Sequence, residues 1–169
     1  DGITFAKTTS VYAKGTFENT NGSVNFVENI PLNLRGNFVG NVNSAIFDEI
    51  KLNSFNFEIT SKNLVLNKNV SSNLNGTNSF VLKNLGTSEI KTGKSISAGK
   101  ITFEGNGSSS VSVDNINLVS LSDGIFVKNE SIVSGSGTGG SVSVKNKGAF
   151  VIDESSKITC KELVQNGEG

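Results

Sequence analysis

The sequence predicts an all-β protein, a right-handed parallel β-helix, which is a solenoid with coils of about 21–24 residues. Three observations predict this fold. Apolar residues return to the same positions every 21 residues between residues 2 and 64. They occur in short alternating triplets, which is typical of strands. The composition combines 11 Phe with 19 Gly, one Pro and abundant Asn and Ser, a mixture that favours short strands joined by tight turns.

Four columns of residues carry the 21-residue repeat. They contain Phe5, Phe26 and Phe47; Phe17, Phe38 and Ile59; Ala13, Leu34 and Phe55; and Ile3, Val24 and Ala45. Gly15 stands over Gly36 in the same alignment. Each coil is expected to supply three short strands that pair with their copies one coil away, at about 4.8 Å. A β-sandwich is the alternative, because short alternating strands also suit it, but a sandwich has no reason to repeat in register.

The stretch from residue 67 to 78 interrupts the repeat. Its sequence, NKNVSSNLNGTN, has almost no apolar residues and predicts a longer turn or loop that projects from one coil. Protrusions of this kind often form the contact surface of a solenoid. The candidate binding residues of this loop are Asn67, Lys68, Asn69, Asn75 and Asn78.

The repeat resumes after that stretch and then lengthens. Phe80 and Leu82 align with Ile101 and Phe103 at an interval of 21 again. Further on, GIFV at 124–127 aligns with GAFV at 148–151 at an interval of 24, and a flexible, glycine-rich turn is expected at 134–141. The whole chain, residues 1–169, is therefore interpreted as one solenoid domain, which we expect to be a piece of a longer protein.

Charge and reactive residues exclude several function classes. Lys and Arg total 15 and Asp and Glu total 15, so a net charge of zero predicts no nucleic-acid partner. No apolar run is long enough for a membrane-spanning helix. Cys160 is the single cysteine and the chain has no His, so we expect no disulfide, no metal and no cofactor. The absence of the commonest general base also favours a protein without enzymatic activity.

Carboxylates are the remaining candidates for chemistry. A polysaccharide-cleaving enzyme on this fold would gather acids from adjacent coils on one face. The two adjacent acid pairs, Asp48-Glu49 and Asp153-Glu154, follow strand ends, and neighbours in sequence do not converge on one face of a strand, so both pairs are interpreted as solvated corners. A β-helical lyase or hydrolase, such as a phage tail spike, stays open as an alternative in which Asp48, Asp114 or Asp153 would be essential.

A recurring F-x-x-N tetrapeptide is the other motif. Its copies are Phe26 with Asn29, Phe38 with Asn41, Phe103 with Asn106, and Phe126 with Asn129. The predicted arrangement places the Phe inward at the end of a strand and the Asn at the following corner. Asn tolerates the left-handed conformation, and stacked Asn side chains can form hydrogen bonds up and down the rod.

The F-x-x-N copies on a coiling background resemble the passenger domains of bacterial autotransporters, in particular the polymorphic membrane proteins of the chlamydiae. The G-G-A-[ILV] motif of that family is absent, and its nearest counterpart is GGSV at 139–142. The resemblance implies a non-catalytic passenger at the cell surface, outer membrane or secreted, held to the membrane only through a barrel outside this segment. It also implies adhesion to a host-cell or neighbouring-cell protein or glycan. A structural spacer of a surface protein is the remaining alternative.

Overall fold

The computed structural model describes residues 3–5, 11–26, 30–73, 77–91, 93–135 and 140–167. These residues form strands and the connections between them. No helix in this part of the chain is long and apolar enough to cross a membrane. The strands are β1 (Ile3–Phe5), β2 (Val11–Phe26), β3 (Pro31–Phe47), β4 (Glu49–Asn53), β5 (Phe57–Leu66), β6 (Val70–Ser72), β7 (Ser79–Asn84), β8 (Thr87–Ile90), β9 (Ser95–Glu104), β10 (Ser110–Val113), β11 (Ile116–Lys128), β12 (Ile132–Gly135), β13 (Ser141–Asn146), β14 (Ala149–Ile152), β15 (Lys157–Thr159) and β16 (Glu162–Gln165).

The strands wind around three faces. In a middle coil, residues 63–66 lie on face 1, β6 lies on face 2, β7 lies on face 3, and β8 returns to face 1. Longer strands such as β3 and β11 continue around a corner and contribute to more than one face. Every pairing is parallel and joins a strand to its copy one coil away. The predicted parallel β-solenoid is confirmed, and the β-sandwich alternative is wrong, because a sandwich is built from antiparallel pairs.

Alternation along each strand builds the core. β4 and β7 bury every second residue, so one set of side chains points into the solenoid and the other points out. The inward residues of face 3 include a stack of Phe rings. Phe38 lies 5.1 Å from Phe57, and Phe57 lies 5.5 Å from Phe80, with ring planes within 6° of parallel. Stacking of this kind adds to the free energy gained by burying the rings.

Two of the four predicted columns are correct in the described strands. Ile3 pairs with Val24 and Val24 with Ala45, each at 21 residues, and Phe5 pairs with Phe26. Phe26 then packs on Phe47 with a distance of 5.1 Å between ring centroids and a tilt of 31° between the rings. The later interval is also confirmed, because Phe80 and Leu82 pair with Ile101 and Phe103.

The other alignments are wrong in whole or in part, although Ala13 pairs with Leu34 at 21 residues, as predicted. Phe38 pairs with Gly15 and with Phe57, at intervals of 23 and 19, so neither Phe17 nor Ile59 is its neighbour, and Gly15 does not lie under Gly36. Phe55, predicted to stand over Leu34, lies in the turn after β4. These alignments fail because the number of residues at a corner varies from coil to coil. A corner can lose or gain two residues without moving any side chain between the inside and the outside.

The late repeat is off by one residue. Gly124 pairs with Ala149 and Ile125 with Phe150, which is an interval of 25 and not 24. A shift of one residue changes which side chains of the two strands share a side, because neighbours along a strand point in opposite directions. Ile125 is buried and Phe126 lies on the outer surface. Gly124 has a φ of +117°, and a Cβ there would lie 2.0 Å from the Ala149 carbonyl oxygen, so the backbones are in close contact.

The projecting loop predicted at residues 67–78 is wrong where the structure describes it. Val70 to Ser72 form β6 on face 2, and Val70 is buried between Ile50 and Ile96 of the coils on either side. One β-branched residue is enough to continue the inward column, although the surrounding sequence is polar. Residues 74–76 lie outside the described residues.

Candidate functional site

The F-x-x-N copies do not share one geometry. Phe103 is fully buried near the end of β9, and Asn106 turns the next corner with its Oδ1 accepting a hydrogen bond from the Ser108 amide at 3.3 Å, as predicted. Asn129 also turns a corner, with a φ of +57°, but its partner Phe126 points outward and lies 4.7 Å from the Lys100 ammonium group.

The other two copies differ further. Phe38 is buried at the start of the face 3 segment of β3, but Asn41 lies within that strand and turns no corner, so this prediction is wrong. Phe26 is buried at the end of β2, as predicted, and Asn29 lies outside the described residues. The motif therefore marks no common site.

A hydrogen-bonded asparagine ladder does exist, at residues that precede a buried Phe. The Asn56 amide donates to Asn37 Oδ1 at 3.0 Å, and the Ser79 amide donates to Asn56 Oδ1 at 2.9 Å. The signal in the sequence is the repeated dipeptide Asn-Phe at 37–38 and 56–57. These side chains join one coil to the next at the corner between face 2 and face 3, so they serve the fold.

The candidate loop residues are also engaged in the fold. Lys68 Nζ lies 2.9 Å from Asp48 Oδ2, and Asp48 is buried. That oxygen has no well-aligned hydrogen bond within the described residues, so charge compensation holds the pair together.

Asn69 Oδ1 accepts a hydrogen bond from the Ser95 amide at 2.9 Å. Asn67 is half-buried at the corner, and its amide donates to the Phe47 carbonyl. Asn75 lies outside the described residues.

Asn78 is the most buried of these candidates, with 1% of its surface exposed. Its Nδ2 donates to the Asn53 carbonyl at 3.0 Å, and its Oδ1 accepts from the Gly99 amide at 2.9 Å. The side chain therefore links the coil below to the coil above. It cannot contact a ligand without breaking these bonds.

The three Asp residues on which a polysaccharide-cleaving enzyme would depend are far apart. Asp48 and Asp114 lie at the corner between face 1 and face 2 but three coils apart, which is about 14 Å along the rod. Asp153 lies at a different corner, between β14 and β15. The expectation of a solvated corner is wrong for Asp48, which is buried against Lys68. In the part of the chain that the structure describes, no group of three or more His, Cys, Asp or Glu side chains could hold a metal.

Asp153 organises its corner through hydrogen bonds. Bonds from Ser156 and Ser155 and from the backbone amides of Asn129 and Ser155 hold the pKa of the Asp153 carboxyl below its ordinary value. The Asn129 amide donates to Oδ2 at 2.7 Å. The carboxylate thus accepts hydrogen bonds from two neighbouring coils and joins them at this corner.

The outer surface of face 3 carries alternating charges. Lys83 contacts Glu58 on the coil below, and Lys128 Nζ lies 3.1 Å from Glu104 Oε1. A hydrogen bond with Glu58 and the charges of Glu58 and Glu104 raise the pKa of Lys83. These charges neutralise one another, so face 3 presents little net field.

The outer surface of face 1 is different, because it presents a row of small hydroxyl side chains. They are exposed or half-buried and project from adjacent coils, with Thr87 paired with Ser110, and Ser112, Ser134 and Thr159 stacked in succession. We call these five residues the hydroxyl array. Its hydroxyl groups make no side-chain hydrogen bond to any described residue.

Hydroxyl groups at corners behave in the opposite way. Ser88 Oγ donates to Asn84 Oδ1 at 2.8 Å, and Ser120 Oγ donates to the Gly99 carbonyl and accepts from the Gly124 amide. Corner hydroxyls are therefore used by the fold, whereas the hydroxyl array is left available to solvent or a ligand. The sequence signal is the S-x-S spacing, as in SVSV at 110–113, which places both hydroxyls on one face of a strand.

The sequence matches no family model, no curated protein and no solved structure.

Proposed function

We propose that this protein is an adhesive module of a surface-displayed or secreted bacterial protein, binding glycans or protein surfaces of a host or neighbouring cell without catalysing a reaction. The observation that carries the proposal is the hydroxyl array on face 1. It is a surface of short side chains whose hydroxyl groups form no hydrogen bond to a described residue, with Glu89 below Ser112 and Lys157 above Ile132 on the same face. The F-x-x-N copies support the bacterial-surface part of the proposal by their resemblance to autotransporter passengers.

The geometry of the array suits an extended glycan. Hydroxyls on adjacent coils repeat at about 4.8 Å, and hydroxyls two residues apart on one strand lie about 6.6 Å apart. Each side chain sits on a strand that is paired on both sides or packed on the core, so little conformational freedom is lost when a ligand binds. A single hydroxyl contact contributes little affinity, so tight binding would come from many such contacts repeated along the rod.

A glycan array with whole-cell binding tests the proposal. The variant Ser112→Lys combined with Ser134→Lys places two long charged side chains in the middle of the array and is expected to abolish binding. Both residues point outward, so the fold should be retained. The matched control is Thr60→Lys, an outward position on face 3, which should bind like the unmodified protein.

The outcomes separate the alternatives. If the variant with both Ser112→Lys and Ser134→Lys still binds, the hydroxyl array is not the binding surface. A blank array together with no cell binding by the unmodified protein would favour the structural spacer. Release of reducing or unsaturated ends from a polysaccharide panel, lost on Asp48→Asn, Asp114→Asn or Asp153→Asn, would favour the polysaccharide-cleaving enzyme.

A further inference from the structure

A cavity on the outer surface lies far from the hydroxyl array, where face 2 meets face 3. It has a volume of about 590 Å³. A bulge in β11 creates it. Between Ser120 and Gly124 this strand has three residues, whereas the coil below has only Gly99 between the paired positions Ala98 and Lys100. The additional residues begin with Leu121, which forms a ledge at the corner.

The floor of the cavity is apolar and its upper wall is cationic. Val119 and Leu121 supply the apolar side, and Lys145 and Lys147 lie one coil above. Neither lysine forms an ion pair with a described carboxylate, and both are exposed. None of the described residues that line the cavity is acidic. The two ammonium groups therefore favour an anionic ligand.

Asn146 lies between the two lysines and is also a lining residue of the cavity. Only 2% of its surface is exposed, and its Nδ2 donates to the Gly148 carbonyl. Its Oδ1 has no hydrogen-bond partner in the described part of the chain. Buried acceptors are nearly always satisfied, so this oxygen is an exception at the inner side of the cavity. The Gly167 backbone packs against this side chain, because a Cβ at residue 167 would lie 2.3 Å from Asn146 Oδ1.

We propose that this cavity binds a carboxylate-bearing sugar residue, as found in acidic polysaccharides. The sugar carboxylate contacts Lys145 and Lys147, and the apolar face of the ring packs on Val119 and Leu121. The inference rests on the proposed glycan-binding function and names its ligand class. It uses a surface separate from the hydroxyl array, so the two can fail independently.

Titration calorimetry with trigalacturonate tests the inference, with an uncharged trisaccharide and inorganic phosphate as comparison ligands. Trigalacturonate is expected to bind, and its affinity is expected to fall as the salt concentration rises. Lys145→Gln and Lys147→Gln should each weaken binding by up to about fivefold, since each removes one exposed charge contact. Lys51→Gln is the matched control, because Lys51 lies in the same outward column as Lys145 several coils away.

Each outcome decides the assignment. Equal affinity for the uncharged trisaccharide, or unchanged affinity in both cavity variants, would overturn it. Phosphate binding as tightly as trigalacturonate would also overturn it, because the cavity would then be a general anion patch. Trigalacturonate binding that persists in the Ser112→Lys and Ser134→Lys double variant, while cell binding is lost, places the acidic sugar in the cavity. Loss of trigalacturonate binding in that double variant overturns the cavity assignment.

Discussion

The interior coils and the last described coil carry the same inward columns but bury them very differently. Val127 is fully buried, whereas Ile152, which stacks on it, is 38% exposed. Val142 is fully buried, and Leu163 on the next coil is 44% exposed. Because each residue in a solenoid contacts mainly its neighbours above and below, burial depends on having a coil on both sides. Among the described residues, those with a coil on both sides are therefore expected to contribute most to stability.

The largest expected effect comes from removing an interior Phe ring. Phe57→Ala deletes a fully buried ring that stacks on Phe38 and Phe80 and meets Phe47 edge-on. We expect a loss of about 3–5 kcal/mol in the free energy of unfolding, measured by urea denaturation. Leu163→Ala in the last coil is the control and should cost less than about 1 kcal/mol. Equal losses in the two variants would contradict the contrast between interior and last coil.

A substitution at Gly124 tests the close contact between the two regions. Gly124→Ala adds a methyl group against the Ala149 backbone at a positive φ. We expect a loss of at least about 2 kcal/mol and weaker protection of β14 amides in hydrogen exchange. Gly93→Ala is the control, because Gly93 also has a positive φ but has open space around its Cβ position. A similar cost at both positions would show that φ alone, and not the contact with β14, is responsible.

The corner hydrogen bonds of an interior coil should have an intermediate effect. Asn78→Ala leaves the Gly99 amide and the Asn53 carbonyl without their side-chain partner. We expect a loss of about 1–3 kcal/mol in the free energy of unfolding. Asn63→Ala, at an exposed position, should change it by less than about 0.5 kcal/mol. If Asn78→Ala were as mild as its control, the hydrogen bonds of Asn78 would not be what links the coils at this corner.

The smallest effect concerns pH and is confined to the last coil. The pKa of Asp153 lies below its ordinary value of 3.8 because the folded state favours the carboxylate. A lowered folded pKa gives a stabilising contribution that is present above the unfolded pKa and is lost as pH falls through the folded pKa. Below about pH 4 we therefore expect lower protection of the Asn129 and Ser155 amides, relative to the intrinsic exchange rate at the same pH. Asp153→Asn should remove this pH dependence, and interior amides should not share it.

The fold class could be predicted because its signals are local. Alternating triplets identify strands, and matching columns such as Phe5 over Phe26 identify the stacking. The register could not be predicted throughout, because coil length varies at corners. A change of two residues, as between Phe38 and Phe57, leaves the inward pattern intact. A change of one residue, as between Gly124 and Ala149, exchanges the inward and outward positions. Only the strand pairing between coils shows whether a corner has changed by one residue or by two.

The candidate site was less predictable than the fold. Polarity marked residues 67–78 as a loop, but a polar side chain serves equally to join coils, as Asn78 does, or to meet solvent. The S-x-S spacing was visible at 110–113, although nothing local distinguishes an available hydroxyl from one used at a corner. The cationic cavity depends on a bulge in β11 and on lysines 24 or more residues away.

The sequence by itself determined that this chain coils and which residue types fill its interior, because apolar periodicity follows from the two-residue repeat of a strand. Only the tertiary structure decided which coils are covered on both sides, which polar groups join coils, and which remain available. Those properties depend on contacts between residues about 19–26 positions apart, and the number of residues at each corner sets those contacts.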